Sequence, residues 1–294
     1  MNSQPIIEYL KELISKQLST KVSSLELTPV GGGSINDTCR VTIGGHTKFF
    51  LKTNSSAKFP GLFEKERTGL EFLRRQNCIR VPHVIICEPV DKYQLLLLEW
   101  IESGIRNENF WTKFGEQMAQ LHTISHGHFG LAEDNYMGSL PQKNDLKKTW
   151  LEFFISCRIQ PQLELANSQN LLEKSHRDRF ETLYGKLDNI FDIEPPSLVH
   201  GDLWSGNFMC DNKALPVLID PAIYFGNRNM DLAMTTLFSG FDGSFYESYN
   251  YHYPFSANYR EQWEICNLYP LLIHLNLFGK GYLPDIDGTL KRFS

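Results

Sequence analysis

Apolar residues recur at two different spacings along the chain. Near the start they fall three or four positions apart, which predicts one amphipathic helix: Ile6, Ile7, Leu10, Leu13, Ile14 and Leu18. Residues 38–43 and 46–52 are strand-like and are joined by Gly44-Gly45, a strong hairpin signal. Residues 62–75 have helical spacing, and 81–85 and 93–98 are strand-like. The first hundred residues therefore predict an antiparallel sheet with helices.

From about residue 103 the helical spacing dominates. The stripe over 110–121 predicts a helix: Phe110, Phe114, Met118 and Leu121. Residues 150–165 and 180–187 are also predicted to be helical. The run 269–278 is apolar and aromatic, and we expect it to pack in the core together with His274. We therefore predict an α+β protein, divided into residues 1–100 and residues 101–294.

Length and charge fit this organisation and exclude some partners. The 294 residues suffice for two lobes or one large domain. The chain carries 34 acidic and 29 basic residues, a net charge of −5, so no overall attraction to nucleic acid or to an anionic membrane is expected. A local basic pocket for phosphates remains compatible with that balance.

The cysteines and the first residues indicate a cytoplasmic protein. The six cysteines contain no Cys-x-x-Cys pair, which predicts reduced thiols. No apolar run reaches 18 residues, and charged residues interrupt the first 18 positions.

The residues with the clearest chemistry lie between 198 and 221. Asp202 lies in the run LVHGDLWSGN, and Asn207 follows it by five positions. Asp220 ends the run VLID thirteen positions after Asn207. Phosphoryl transfer needs a carboxylate at the attacking hydroxyl and oxygen ligands that hold Mg²⁺ on a triphosphate. The spacing is that of a kinase, so Asp202 is the candidate catalytic residue, and Asn207 and Asp220 are candidate Mg²⁺ ligands.

Turn-forming residues predict how these side chains meet. Asp211-Asn212-Lys213 separates two short apolar runs, which predicts a hairpin. That hairpin would bring Asn207 beside Asp220, and a carboxylate with an amide oxygen suits Mg²⁺. The alternative is that these residues only cap a loop and end a buried strand.

Two further features predict a nucleotide site in the first hundred residues. The triplet Gly31, Gly32 and Gly33 lets backbone N–H groups approach phosphates, although a plain flexible turn would have the same composition. Lys52 ends the second strand of the hairpin, where a kinase has its phosphate-binding lysine. Glu66 shares the apolar stripe of the next helix, where a carboxylate is costly unless paired. We expect the pair Lys52–Glu66, with Glu64 as the second candidate.

Several motifs closely resemble the fructosamine kinases, also called ketosamine-3-kinases, within the aminoglycoside-phosphotransferase-like kinases. They are HGDLWSGN ending at Asn207, Asp220-Pro221-Ala222, Asp231-Leu232-Ala233-Met234 and LNLFG ending at Gly279. The resemblance extends from Gly31 to Gly279. It implies a bilobal protein-kinase-like fold, with an antiparallel sheet and helices in the first lobe and a mainly helical second lobe.

The resemblance also implies the reaction and its cofactors. ATP with Mg²⁺ would phosphorylate O3 of a ketosamine, such as a fructosamine, ribulosamine or erythrulosamine, free or on a protein lysine. The product breaks down to free the amine, so the implied role is protein deglycation. Asp231 is implied to brace the catalytic loop, which is the segment HGDLWSGN ending at Asn207. Residues 135–138 and 142–144 resemble positions near the acceptor pocket, although an ordinary solvated loop is equally compatible.

Two assignments concern recognition of the two substrates. Glu99, Trp100 and Ile101 follow the last predicted strand and are expected to form the hinge, whose backbone would bind the adenine edge. Trp204, two residues after Asp202, would stack on the acceptor sugar or amine and exclude water. The alternative for Trp204 is that it only packs the loop.

One departure and two rival functions remain. Asn229 stands where the family usually has an acidic residue, which predicts a weaker ion pair beside the catalytic loop. One alternative function is phosphorylation of another small alcohol, of the aminoglycoside, choline or homoserine type. The other is binding of nucleotide as a pseudokinase scaffold. The oligomeric state does not follow from the sequence.

Overall fold

The computed structural model describes residues 4–31 and 35–294. Five strands form one antiparallel sheet in the order β1-β2-β3-β5-β4. Their bounds are β1 Leu25–Pro29, β2 Asp37–Ile43, β3 Thr47–Ser55, β4 Val84–Val90 and β5 Tyr93–Glu99. The predicted hairpin is present, since Gly44 and Gly45 adopt φ of 57° and 79° and Ile43 pairs with Thr47. The strand predicted over 81–85 begins only at Val84, after Pro82.

Helices cover both faces of this sheet. Helix α1 (Gln4–Gln17) packs Leu10 and Ile14 against one face, and helix α2 (Leu62–Gln76) lies on the other. Strand β5 shows the alternation that this arrangement requires. Leu95 and Leu97 join the core under α1, whereas Leu96 and Leu98 join the core that α2 shares with the helical part. Successive side chains therefore fix α2 on the face that is turned towards the rest of the chain.

The remainder is mainly helical, as predicted. Its helices are α3 Phe110–His122, α4 Trp150–Phe153, α5 Gln160–Ser168, α6 Lys174–Tyr184, α7 Asn229–Leu237, α8 Gly243–His252, α9 Tyr259–Cys266, α10 Leu268–Phe278 and α11 Leu283–Phe293. A π-helical turn, Phe154–Ile159, joins α4 to α5, so the helix predicted over 150–165 is continuous but locally widened. The helix predicted over 180–187 begins earlier, at Lys174.

Three short strand pairs lie among these helices and carry the loops of interest. They are β6 (Asn135–Met137) with β7 (Leu140–Gln142), β8 (Ser197–Val199) with β11 (Tyr224–Gly226), and β9 (Phe208–Cys210) with β10 (Pro216–Leu218). No helix in the described ranges is both long and apolar enough to cross a membrane.

Contacts across residue 100 tie the two parts together. The larger core contains residues from α2 and β5 together with residues from α3 to α11. Arg80 donates hydrogen bonds to Glu99 and to the buried Asp211, each at 2.5 Å, and so links the end of β5 to the β9–β10 turn. The division into lobes at residue 100 stays a prediction, although all five strands of the main sheet precede it.

Candidate active site

The β9–β10 hairpin brings the two predicted metal ligands to one place. Phe208 pairs with Leu218, and the Ile219 N–H donates to the carbonyl of the neighbouring Asn207 at 3.0 Å. Asp220 follows Ile219 directly and has a φ of 54°, in the left-handed region. The side chain of Asp220 is 43% exposed. Residues separated by thirteen positions therefore lie side by side, as the turn residues predicted.

Asp231 holds the loop that precedes Asp202. Its carboxylate is fully buried and accepts hydrogen bonds from the backbone N–H groups of His200 at 2.7 Å and Gly201 at 2.9 Å. His122 Nε2 lies 3.1 Å from the same carboxylate. Charge-assisted bonds of this kind are about twice as strong as neutral ones, so α7 fixes the backbone just before the catalytic candidate.

His200 connects the two functional segments. Its Nε2 donates to the carbonyl of Ile219 at 2.9 Å, and its Nδ1 accepts from the Asp202 N–H at 3.3 Å. Burial lowers the pKa of His200 and keeps the ring neutral, despite the opposing charge of Asp231. Gly201 is required beside it, because a Cβ there would lie 2.1 Å from the carbonyl oxygen of Ala222.

Asp202 and Asn207 form a fixed pair. The Asn207 amide donates to the backbone carbonyl of Asp202 at 2.9 Å and to its carboxylate at 2.8 Å. Both amide hydrogens are thus used within the loop, and the amide oxygen of Asn207 is left as the atom for a metal. Burial raises the pKa of Asp202 to about 7, and the bond from Asn207 opposes that rise. General acid–base catalysis works best with a pKa near the working pH.

Lys52, on β3, forms ion pairs with two carboxylates. It is 3% exposed, and its Nζ donates to Glu66 at 2.7 Å and to Asp220 at 2.6 Å. Burial alone would lower the pKa of Lys52, but the charges of Asp220 and Glu66 outweigh it and raise the pKa. Burial raises the pKa of Glu66, and the Lys52 ammonium opposes that rise. Glu64 is exposed and pairs with Arg67 instead.

These side chains line one cavity of about 560 Å³, between the sheet, α2, the catalytic loop and α10. Of the predicted site residues, the cavity brings together six: Lys52, Glu66, Asp202, Trp204, Asn207 and Asp220. Gly31 is exposed and lies outside the described lining. Gly32 and Gly33 lie outside the described residues, so the role of the glycine triplet stays a prediction.

The predicted hinge residues also lie outside this lining. Glu99 ends β5 and accepts a hydrogen bond from Arg80. Trp100 packs against Phe50, with ring centroids 6.4 Å apart, and Ile101 is buried. Their contact with adenine stays a prediction.

Trp204 is 36% exposed and lines the cavity. Its ring packs edge-on against Phe238, with centroids 5.8 Å apart. A Cβ on Gly206 would lie 2.4 Å from two atoms of the indole, so the ring rests directly on the Gly206 backbone. The tight turn from Trp204 to Asn207 thus presents the indole beside the catalytic loop.

Sequence reasoning assigned no chemistry to several other lining residues. Residues 135–138 form part of the cavity wall, whereas 142–144 lie outside the described lining, and Gln142 and Asn144 are buried. That either segment contacts an acceptor stays a prediction. His274 was expected to pack in the core. It is only half-buried and lines the cavity, next to Phe278. The remaining polar lining residues are Asn36, Thr38 and Lys65. The sequence pattern predicted a strand at Thr38 and a helix at Lys65 but gave no sign that these side chains face the cavity.

The donor set fits Mg²⁺ bound together with a nucleotide. No group of three or more His, Cys, Asp or Glu side chains suited to a metal ion occurs among residues 4–31 and 35–294. Asp220 and Asn207 supply two hard oxygen ligands, and Mg²⁺ commonly takes one or two protein oxygens with phosphates and water completing its shell. Lys52 provides a buried positive charge next to them.

Comparison with known proteins gives one consistent family. The family model described as Fructosamine kinase matches residues 6–293. A protein of Enterococcus faecium named a probable ketoamine kinase is 36% identical over 284 residues, which cover 94% of this chain and 99% of that protein. The chloroplastic protein-ribulosamine 3-kinase of Arabidopsis thaliana is 35% identical over 292 residues, which cover 96% of this chain and 85% of the plant protein.

Solved structures confirm the predicted fold class. A crystal structure from Haemophilus somnus 129PT, provisionally named a fructosamine-3-kinase, gives a TM-score of 0.88 at 26% identity and covers 97% of this chain and 96% of that one. The GDP complex of an aminoglycoside 2′-phosphotransferase gives a TM-score of 0.58 at 14% identity, which supports the fold alone.

Proposed function

Because the chain belongs to the fructosamine kinase family, we propose that it transfers the γ-phosphoryl group of ATP to O3 of a ketosamine. One observation carries the residue assignment. Lys52, paired with Glu66 and Asp220, lines the same cavity as the Asp202–Asn207 pair and the exposed Trp204. Donor groups and acceptor groups therefore lie within reach of one another.

On the donor side, the buried ammonium of Lys52 binds the nucleotide phosphates, and Glu66 holds that ammonium in place. Asn207 and Asp220 would hold Mg²⁺ through their side-chain oxygen atoms. The bound ion would supply positive charge that offsets the negative charge of the phosphates during transfer. Gly31, Gly32 and Gly33 are proposed to contact the phosphates through backbone N–H groups, and residues 99–101 to contact adenine.

On the acceptor side, Asp202 orients the sugar hydroxyl. The O3 oxygen forms a bond to the γ-phosphorus, the bond from that phosphorus to the bridging oxygen breaks, and ADP leaves. The hydroxyl proton passes to the Asp202 carboxylate. Asn207 donates a hydrogen bond to that carboxylate, and His200 accepts one from the Asp202 backbone N–H. Trp204 covers one face of the sugar and excludes water, which favours transfer to the acceptor over hydrolysis.

The biological role proposed from this reaction is removal of early sugar adducts from amines. A 3-phosphorylated ketosamine is unstable and releases the amine, so the acceptor is a free ketosamine or a glycated protein lysine. A cytoplasmic site of action stays a prediction from the six cysteines, all of which are free thiols in the structure.

Acceptor kinetics test this proposal. ATP turnover is measured with amines derived from ribulose, erythrulose and fructose, and with an aminoglycoside and choline as controls. Turnover that rises with a ketosamine and saturates supports the proposal. Turnover with only an aminoglycoside or choline would instead indicate a kinase for another small alcohol. Nucleotide binding without turnover on any acceptor would indicate a scaffold.

A further inference from the structure

His274 stands in a row of aromatic side chains at the acceptor edge of the cavity. Its ring centroid lies 4.9 Å from Phe238, 5.0 Å from Tyr282 and 5.6 Å from Phe278. Phe238 in turn contacts Trp204. His274 and Phe278, both on α10, line the same cavity as Trp204. The row therefore continues from the catalytic loop to α10, and His274 supplies its polar atoms.

The hydrogen bond of His274 fixes which of its nitrogen atoms can bind a ligand. Nδ1 lies 2.7 Å from the carbonyl oxygen of Pro270, one turn earlier on α10. A carbonyl oxygen only accepts, so Nδ1 carries the hydrogen. Burial lowers the pKa of His274, which keeps the ring neutral at pH 7. Nε2 is then a pure acceptor, and no group among residues 4–31 and 35–294 donates a hydrogen bond to it.

The positions of the carboxylates in the cavity wall limit which groups could bind a positively charged part of a ligand. The described lining contains three carboxylates, Glu66, Asp202 and Asp220. Glu66 and Asp220 bind Lys52, and Asp202 is proposed to orient the reacting hydroxyl. The lining residues from α10 and from 135–138 carry no acidic group. Of the aromatic row, Trp204, His274 and Phe278 line the cavity, and a cationic ligand beside them would meet ring faces and the lone pair of His274.

A ketosamine brings such a cation, because its secondary amine is protonated at neutral pH and lies two carbons from C3. We propose that Nε2 of His274 accepts a hydrogen bond from this ammonium and selects amine-bearing acceptors over neutral sugars. Trp204 and Phe278, which line the cavity beside His274, hold the charge by cation–π attraction. The inference rests on the proposed function, since it assigns the amine end of the substrate whose O3 lies at Asp202.

Two substitutions separate the hydrogen bond from the shape of the ring. His274→Phe keeps an aromatic ring and removes the acceptor, whereas His274→Gln keeps an oxygen at a similar reach. Each is assayed with a ribulosamine and with its ether analogue, in which oxygen replaces the amine nitrogen. His46→Phe is the matched control, because His46 lies in the exposed β2–β3 turn and its Nδ1 bonds to the carbonyl of Gly44 in the same turn. Thermal unfolding checks that each variant is folded.

We expect His274→Phe to lower the ratio of kcat/KM for the ribulosamine over the ether analogue by about tenfold to a hundredfold, the worth of a hydrogen bond to a charged group. Most of the loss should be in the ketosamine KM, and His274→Gln should recover part of it. An unchanged ratio in folded His274→Phe would overturn the inference and leave the proposed function intact. A wild-type enzyme that phosphorylates no ketosamine would overturn both.

Discussion

At the scale of single residues, Asp220 pairs with a buried lysine and yet keeps part of its carboxylate accessible from the cavity. One carboxylate oxygen accepts a hydrogen bond from Lys52, while the side chain remains 43% exposed towards the cavity. Its backbone lies in the left-handed region, which Asn and Asp tolerate better than other residues with a Cβ. An Asn at this position therefore changes charge without straining the loop.

Asp220→Asn should remove Mg²⁺-dependent turnover and keep the fold. We expect kcat to fall more than about a hundredfold, since even groups that only orient a metal ligand are worth about ten- to a hundredfold. The measurement is kcat over a Mg²⁺ series, with the urea midpoint as a check on folding. Near wild-type turnover at ordinary Mg²⁺ would show that Asp220 is not a metal ligand.

Trp204 is predicted to serve the acceptor and not the nucleotide. Trp204→Ala should lower kcat/KM for a ketosamine by about tenfold or more, because a stacking surface is lost and water enters beside the hydroxyl. Gly206→Ala should cause part of the same loss, since its Cβ would displace the indole. Gly288→Ala is the control, because a Cβ there meets no other atom within 4 Å.

Calorimetry of Mg·ATP binding gives the second readout for these variants. Both should bind the nucleotide with near wild-type affinity, because Lys52, Asn207 and Asp220 are retained. Loss of ATP affinity with an unchanged acceptor KM and kcat would mean that Trp204 supports the nucleotide site.

At the scale of elements, β3 and α2 meet through the Lys52–Glu66 pair. Lys52→Met and Glu66→Ala should each lower kcat/KM for ATP, with Lys52→Met the more severe because Lys52 also binds Asp220. The double-mutant cycle should show coupling of about 0.5–3 kcal/mol, as expected for residues in contact. Glu64→Ala, which removes an exposed pair on the same helix, should have little effect. If the effects of the two substitutions on kcat/KM were strictly additive, Lys52 and Glu66 would not act together in the active enzyme.

Helix α7 supports the catalytic loop through Asp231. Asp231→Asn should reduce the free energy of unfolding by about 1.5–3 kcal/mol, because it replaces a buried charged acceptor of backbone hydrogen bonds. Turnover should fall as well, since the loop before Asp202 loses its brace. Urea unfolding and kcat are the two measurements. A variant with unchanged stability would show that these bonds do not hold the loop.

The elements also show which features the sequence could predict. Turn chemistry predicted the hairpin at Gly44-Gly45, and β2 pairs with β3 there. The position of Glu66 on the apolar face of its helix favoured it over Glu64 as the partner of Lys52, and the Lys52–Glu66 pair is present. Helix α10 is apolar over nearly its whole surface, so its sequence could not show which side faces the cavity. For this reason His274 was assigned to the core.

Asn229 shows the same limit for buried polar residues. The sequence predicted a weakened ion pair beside the catalytic loop. In the structure, the Asn229 amide donates to Gln262 at 2.6 Å and accepts from Trp263 at 2.8 Å. This neutral network lies between α7 and α9, and the brace of the loop comes from Asp231. Only the fold shows which partners a buried amide finds.

At the scale of the whole molecule, side chains from two parts of the chain line the cavity in which the reaction is proposed to occur. Lys52 and Glu66 come from the sheet and α2, while Asp202, Asn207 and Asp220 come from the loops of the helical part. Arg80 ties the end of β5 to the β9–β10 turn, and Lys65 pairs with Glu133 across the same boundary. The proposed function binds both substrates in this one cavity, and it therefore predicts direct transfer of the phosphoryl group from ATP to the acceptor.

The position of the phosphoryl group on the product tests the central claim most directly. The enzyme is incubated with Mg·ATP and a ribulosamine, and phosphorus–proton correlation NMR identifies the carbon that carries the phosphate. We predict coupling of phosphorus to the proton on C3, in amounts equal to the ADP formed, followed by release of the amine. Phosphate on another carbon, or ADP formed only with inorganic phosphate, would contradict the account.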